Sequence, residues 1–497
     1  MAVFKRFALC LGIVCSLISC QGINKNQETE KSVESSKPLN VVLILTDDQG
    51  YHLSALGTKG ISTPHVDSLA QKGIMFTNAF AVVPSCSPSR SSIMTGMYPH
   101  ANGHWRNTIT PELSDGDEEF TRQSSRIDQV GIHEYIKTLP ELLQANGFYT
   151  AITQKFHMSP PWKFPYDGKN DVQNSPQKFK EVISNFIDEA GEKPFFFQAN
   201  VAPPHRNLDV HMANFPEFLP DSESIEVPPY LADTPKMRED LAKYYGSVQL
   251  ADACAGKIIE ALKDKDMLEN TLIIFTSDQG EPYHRAKASA YYAGLHVPYI
   301  ASGPGVVQGK TNDALIMHID IMPTILDYLN IDVPATVQGE SLRQIFVGDA
   351  NEIEGRDYIF GEANSHGPPR NEHYPSRVAF DGRYYYIQNL MHEKEHVLPA
   401  DLVKEEAWAN RSYDATIEAK ETHPVQYRLL KELESGRPAE ELYDMENDPG
   451  QLENLAGKEE FADIQSRLNR TLEDWRSRTG DVEDDPLNIK TRLQTRK

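Results

Sequence analysis

Cysteine is scarce in this chain: five in 497 residues, three of them (Cys10, Cys15 and Cys20) within the first twenty positions. Only Cys86 and Cys254 remain, too few for a disulfide framework, although one bridge between them stays open. Positive charge is also short. Forty-nine Lys and Arg face 72 Asp and Glu, a formal net charge of −23. Nothing offsets repulsion from phosphates, which excludes nucleic acid as a partner. A polyanionic ligand would need a locally basic pocket in this acidic body. Beyond the first twenty residues no apolar run is long enough to cross a bilayer. There is no internal repeat.

The start of the chain reads as an export segment. Lys5 and Arg6 precede a mostly apolar stretch, Phe7 to Ile18, too short for a transmembrane helix. Its ending, Leu17-Ile18-Ser19-Cys20, resembles a bacterial lipobox. That resemblance implies a lipoprotein signal peptide over residues 1–20, lipid on Cys20 and attachment to the membrane by the lipid anchor only. The expected location is the periplasm or the cell surface. Residues 21–38 are polar and unpatterned, as a tether would be.

Asn40–Thr46 (NVVLILT) is a continuous apolar run ending in Asp47-Asp48-Gln49-Gly50. It predicts a strand buried on both faces, with functional residues at its carboxyl end. Leu272–Thr276 repeats the pattern and ends in Ser277-Asp278-Gln279-Gly280. Further strands are expected at Ile74–Phe76, Thr150–Thr153, Pro194–Ala199 and Val297–Ala301. Helices are expected at Pro64–Gln71, Pro88–Met97, Asp128–Asn146 and Ile319–Leu329. A long helix starts at Thr234-Pro235, a cap residue followed by proline. Cys254 lies near its apolar face and reads as a small buried hydrophobe. The alternation predicts an open α/β sandwich with a mostly parallel central sheet. After about Gly355 the texture changes. A hairpin is expected around Asp381-Gly382, then a short strand at Leu442–Met445 and a helix at Ala462–Trp475. This gives a catalytic domain over residues 39–355 and a smaller α+β domain over residues 356–497.

Ligands of open α/β sheets collect beyond the carboxyl ends of the strands. Asp47, Asp48, Asp278 and Gln279 all fall there. Converging carboxylates repel one another unless a cation joins them, and four oxygen donors suit Ca2+ or Mg2+ rather than zinc. Cys86 opens a helix in the run Cys86-Ser87-Pro88-Ser89-Arg90, where helix-end donors favour an anion. Arg90, one turn on, can balance its charge. A thiolate is a poor partner for a hard cation, so an oxygen nucleophile at position 86 would fit better.

The run Cys86-x-Pro88-Ser89-Arg90-x-x-x-x-Thr95-Gly96 resembles the signature of type I sulfatases, in the alkaline-phosphatase-like superfamily. It sits between the Asp47-Asp48 strand and the Ser277-Asp278-x-Gly280 strand. The resemblance implies an alkaline-phosphatase-like sandwich and conversion of Cys86 to formylglycine by a formylglycine-generating or radical sulfatase-maturating enzyme. It implies Ca2+ held by Asp47, Asp48, residue 86, Asp278 and Gln279. Gln279 departs from the commoner Asn or His. Lys155 and His157, in Gln154-Lys155-Phe156-His157, match the family's Gly-Lys-x-His element: Lys155 would bind sulfate and His157 would help the hydrated aldehyde release it. His205, in Ala202-Pro203-Pro204-His205-Arg206, matches the histidine that contacts or protonates the leaving group. Lys287 matches a sulfate-binding basic residue. A serine at position 86 would lack the second hydroxyl this route needs.

Pro194-Phe195-Phe196-Phe197, the segment from Val227 to Tyr245 and Gly361 to Arg377 are most similar to the heparan N-sulfatase (N-sulfoglucosamine sulfohydrolase) subgroup. That implies a sulfated oligosaccharide substrate, with N-sulfoglucosamine of heparan or heparin leading. In that subgroup an arginine stands at the place of Lys287 and an asparagine at that of Gln279. O-sulfatases acting on marine algal carrageenan or ulvan share the overall similarity. A phosphonate or phosphodiester hydrolase of the same superfamily would use the same strands, and a non-catalytic sulfated-glycan-binding lipoprotein is the non-enzyme alternative. His104, His366 and Arg377 are candidate sugar-binding residues, with Trp105, Arg106, Arg370 and His373 as further candidates.

Overall fold

The computed structural model describes residues 39–108, 130–366, 373–399, 402–403 and 410–481. The signal peptide, the tether and Arg370 lie outside the described residues. In chain order the strands are β1 (Asn40–Thr46), β2 (Gly73–Phe76), β3 (Ala79–Phe80), β4 (Tyr149–Thr153), β5 (Gly168–Asn170), β6 (Phe195–Val201) and β7 (Thr271–Ser277). There follow β8 (Tyr299–Ser302), β9 (Lys310–Asn312), β10 (Ile316–Met317), β11 (Ile359–Ala363), β12 (Ser376–Phe380), β13 (Tyr384–Asn389) and β14 (Glu440–Asp444).

Eight strands form the central sheet in the order β5-β4-β6-β1-β7-β8-β2-β9. β1 lies parallel between β6 and β7, and all seven of its residues are buried. Its side chains alternate. Val41, Leu43 and Leu45 enter the core on one face of the sheet, and Val42 and Ile44 the core on the other. An apolar run without a polar phase is what such a two-sided strand requires. The sheet is mostly parallel, but β8 runs antiparallel to both β7 and β2.

Helix α1 (Pro64–Gln71) and the long helix Pro235–Asp264 pack on one face. Thr234 caps the long helix by accepting from Met237 N. Cys254 is fully buried on its apolar side, and both described cysteines are free thiols. The helix expected from Asp128 instead begins at Leu139 within the described residues, where a Thr138–Glu141 capping box and Pro140 fix its start. Ile319–Leu329 divides into a 3-10 turn, His318–Asp320, and the helix Ile321–Tyr328.

β11 to β14 form a separate four-stranded antiparallel sheet. β12 and β13 make the expected hairpin, with Gly382 in the left-handed region (φ 93°) that its turn needs. Helix Ala462–Thr479 covers this sheet and stacks Trp475 on Phe360, ring centroids 5.1 Å apart. This is the smaller α+β unit. Its buried side chains join those of the central sheet in one continuous core.

Candidate active site

Strand register creates the site. Thr46 of β1 pairs with Ser277 of β7, so the two strands end side by side and release Asp47-Asp48 and Asp278-Gln279 at one edge. Backbone ties hold them: Asp278 N donates to Thr46 O (3.0 Å), Asp48 N to Asp278 Oδ1 (3.1 Å) and Gln49 N to Ser277 Oγ (2.8 Å). Asp48 takes a left-handed conformation (φ 64°). At Gly280 the chain passes so near its neighbour that a Cβ would lie 1.8 Å from Ala293 O. Lys155 and His157 follow β4, His205 follows β6 and Lys287 follows β7. All therefore meet at the carboxyl ends of parallel strands.

Helix α2 (Cys86–Thr95) brings the remaining residues and is buried along its whole length. Gly96, at φ 64°, ends it. The preceding Ser85 is extended and does not cap the helix with its own side chain. Asn107 does so from outside: its Oδ1 accepts from Ser87 N (2.8 Å) and Ser85 Oγ (3.0 Å). Thr108 N adds a bond to Ser87 Oγ at 3.3 Å.

The charges are closely interleaved. Asp47 Oδ2 lies 2.6 Å from Lys155 Nζ and 3.3 Å from an Arg90 guanidinium nitrogen. Arg90 Nε donates to Asp278 Oδ2 at 3.0 Å. Lys287 Nζ donates to Asp48 Oδ2 at 2.8 Å, with His205 Nε2 3.8 Å from the same oxygen. Cys86 Sγ lies 3.7 Å from Asp47 Oδ1 and accepts from Gln279 Nε2 at 3.2 Å. Gln279 Nε2 also donates to Asp48 Oδ1, which leaves Gln279 Oε1 buried without a hydrogen-bond partner.

Burial alone would raise Asp47, but Lys155, His205, Arg90 and Lys287 hold its carboxyl well below the ordinary range. Asp278 is raised to about 7, by burial first and then by the charge of Asp47. Burial pushes the Cys86 thiol up to about 12 even though Lys155 and Lys287 pull the other way. Such a thiol stays protonated near neutral pH and is neither a ready nucleophile nor a ready ligand.

One ligand atom each from Asp47, Asp48, Cys86 and His205 fall within 4.8 Å of one another. His205, expected only beside the leaving group, thus stands within ligand range. Asp278 borders this group with its oxygens turned to Arg90 and the Asp48 amide. Carboxylates and an orphaned amide oxygen fit a hard divalent cation. Arg90, Lys155 and Lys287 already match Asp47, Asp48 and Asp278 in full when Asp278 is ionised. A divalent cation here leaves an excess of positive charge for a bound anion to balance.

The sugar-binding candidates separate. His366 sits at the mouth of α2, 3.3 Å from Ser85 Oγ and 3.3 Å from Asn107 Nδ2. His104 is fully buried behind α2, bonded to Ser91 Oγ at 2.6 Å, and burial drives its imidazole down to about 3. Arg106 lies over the Trp105 ring at 5.5 Å, and His373 meets that ring edge-on. Arg377 is held in a buried ion pair with Asp481. Sequence reasoning missed Asn107, a polar loop residue that no spacing distinguishes.

A model described as sulfatase matches residues 39–331, and one described as N-sulphoglucosamine sulphohydrolase, C-terminal, matches residues 280–437. The chain is 28% identical to N-sulphoglucosamine sulphohydrolase of Homo sapiens, over 90% of this chain and 91% of that protein. It is also 28% identical to an ulvan-active sulfatase of Formosa agariphila, over 96% and 82%. A solved structure in complex with its substrate, D-glucosamine-2-N,6-O-disulfate, shares the fold with a TM-score of 0.64 at 19% identity, covering 90% of this chain and 100% of that one.

Proposed function

The chain belongs to the sulfatase family, and from that premise we propose that it removes the N-linked sulfate of N-sulfoglucosamine in heparan or heparin. The coarser activity is that of a sulfatase-type hydrolase acting on a sulfated carbohydrate. The observation that carries the finer reading is the match of residues 280–437 to the N-sulphoglucosamine sulphohydrolase C-terminal model.

Asp47, Asp48, Asp278, Gln279 and residue 86 would hold Ca2+, with Mg2+ the alternative. When bound, the cation polarises a sulfate oxygen and lowers the pKa of the nucleophile. Oxidation of Cys86 to formylglycine supplies the hydrated-aldehyde nucleophile that the protonated thiol does not. Lys155 and Lys287 grip the sulfate oxygens, and Arg90, fixed by Asp278 and Asp47, balances charge beneath them. His205 donates Nδ1–H to Arg206 O (2.6 Å), so Nε2 faces the carboxylates, and it is the doubly protonated ring that gives its Nε2 proton to a departing nitrogen or oxygen. His157 donates Nε2–H to Thr108 O at 3.0 Å. Burial, with Lys155 and Arg90 nearby, holds His157 neutral, and Nδ1 is left to accept a proton as sulfate is expelled.

A second reading is an O-sulfatase of ulvan or a related algal saccharide. It is favoured by the equal identity to the ulvan-active relative over more of this chain. Lys287 and Gln279, where the N-sulfatase subgroup resembles Arg and Asn, point the same way. Desulfation of defined N-sulfated and O-sulfated saccharides, with matched phosphate esters, separates the readings. Sulfate release from ester-linked substrates alone overturns the N-sulfatase reading, and preferred phosphate turnover overturns both. An unmodified thiol at residue 86 in active protein would sink the formylglycine route. Full function of Cys86→Ala would favour a glycan-binding protein.

Export with a lipid on Cys20, a periplasmic or cell-surface site, maturation by a formylglycine-generating or radical enzyme, and the domain boundary near residue 355 belong to the same proposal.

A further inference from the structure

Asp48 has an uncommon backbone. Its φ of 64° lies in the left-handed region, which a residue with a Cβ keeps only when its surroundings fix it there. Three of the bonds that fix it come from within the site. Asp48 N donates to Asp278 Oδ1, Gln279 Nε2 donates to Asp48 Oδ1, and Lys287 Nζ donates to Asp48 Oδ2. Asp278, Gln279 and Lys287 are themselves ligand or sulfate residues, so these three bonds weaken once the site is loaded.

Two groups outside the ligand set hold the backbone of the turn. Ser277 Oγ accepts from Gln49 N at 2.8 Å. Tyr244 brackets the same residue: its hydroxyl accepts from Gly50 N at 2.9 Å and donates to Asp48 O at 3.1 Å. One hydroxyl thus joins the carbonyl before Gln49 to the amide after it. Both bonds go to backbone atoms, so a cation that takes the carboxylates leaves them in place.

Tyr244 is itself firmly held. It lies within the long helix Pro235–Asp264 and is fully buried. Its ring meets Tyr283 edge-on at 5.6 Å and His52 edge-on at 5.9 Å. One turn earlier on the same helix, Asp240 accepts two bonds from Arg206, at 3.1 and 2.5 Å. Arg206 follows His205 in the chain. The helix is therefore tied both to the Asp48 turn and to the loop that carries His205.

We propose that Tyr244 is a positioning residue: its hydroxyl holds Asp48 in the left-handed turn that aims its carboxylate into the cation site, and so sets the affinity for the cation. The inference rests on the reading of Asp47, Asp48 and their neighbours as an oxygen-ligand site for Ca2+. Partners that orient metal ligands commonly cost about 10–100-fold in metal affinity when they are removed. The test measures the Ca2+ Kd of the whole protein, stripped of metal by chelator, by titration calorimetry. It compares wild type, Tyr244→Phe, which keeps the ring and loses only the hydroxyl, and Tyr245→Phe. Tyr245 is the adjacent buried tyrosine, and its hydroxyl donates to Glu226 O (3.3 Å) rather than to the Asp48 turn. Tyr244→Phe is expected to raise the Kd about tenfold or more. Tyr245→Phe is expected to change it less than twofold. A Tyr244→Phe protein whose metal-free Tm falls while its Kd stays within twofold of wild type has lost packing only, which overturns the positioning role. An equal rise in Kd with Tyr245→Phe overturns it too, as a general loosening of the helix. Wild type that binds neither Ca2+ nor Mg2+ overturns the cation site itself, and this inference with it.

Discussion

The Arg377–Asp481 pair is the place to test whether a buried cation in this chain serves the substrate or the fold. Arg377 Nε and a second guanidinium nitrogen reach Asp481 Oδ2 and Oδ1 at 2.6 and 2.8 Å, and the side chains are 3% and 2% exposed. Asn364 Oδ1 takes a further bond from Arg377 at 2.9 Å. Breaking such a pair from one side strands a buried charge and costs about 3–5 kcal/mol. Arg377→Met belongs near the lower end, because Arg476 Nε stays 3.1 Å from Asp481 Oδ2. In a protein this large that is a fall in Tm on the order of 5 °C. Replacing both partners, Arg377→Met with Asp481→Leu, should recover most of it. The pH dependence has a definite sign. Burial would raise Asp481, but Arg377, His100 and Arg476 outweigh it and lower the carboxyl below its ordinary 3.8. The stabilisation is complete above that value and is lost as pH falls through the depressed one, so the gap between wild type and Arg377→Met narrows below about pH 4. Urea and thermal unfolding at pH 7 and at acid pH measure this. An unchanged Tm together with a tenfold higher KM on a saccharide would refute the argument and return Arg377 to the substrate.

Asn107→Ala removes the external cap of α2. Unfolding should cost about 0.5–2 kcal/mol less, and kcat should fall as residue 86 loses its fixed position; unchanged values of both would mean Ser85 takes over the cap. Chelation should lower both Tm and activity, with Ca2+ restoring them. At a free Ca2+ concentration about 100 times its Kd the stabilisation is about 2.7 kcal/mol. A melting curve indifferent to chelator and Ca2+, with activity intact, would speak against the oxygen-ligand metal site.

The elements visible in the sequence share a physical trait: their neighbours impose a pattern along the chain. β1 needs apolar residues on both faces, so Asn40–Thr46 is legible to the residue. Helix α1 is bracketed by Pro64 and Gly73 and matches its expected span. The paired Asp-bearing strand ends were equally plain, because adjacent parallel strands carry them to one edge. The direction of β8 was not legible, since a buried apolar strand reads alike either way. Arg377 reads in sequence as a pocket cation, because its partner lies 104 residues away. Asn107 acts through contacts set by a loop, where no periodicity marks it. The left-handed turn at Asp48 is likewise written in tertiary contacts rather than in residue type.

The continuous core has a bearing on how the protein comes into being. Val41 in the first strand and Trp475 in the last described helix belong to the same buried cluster. A nascent chain therefore cannot seal this core until Trp475 has been made. Shortened products ending before Ala462 would present the bare face of the C-terminal sheet to water and to each other. The helix Ala462–Thr479, rather than the catalytic half, therefore sets the moment at which this core closes.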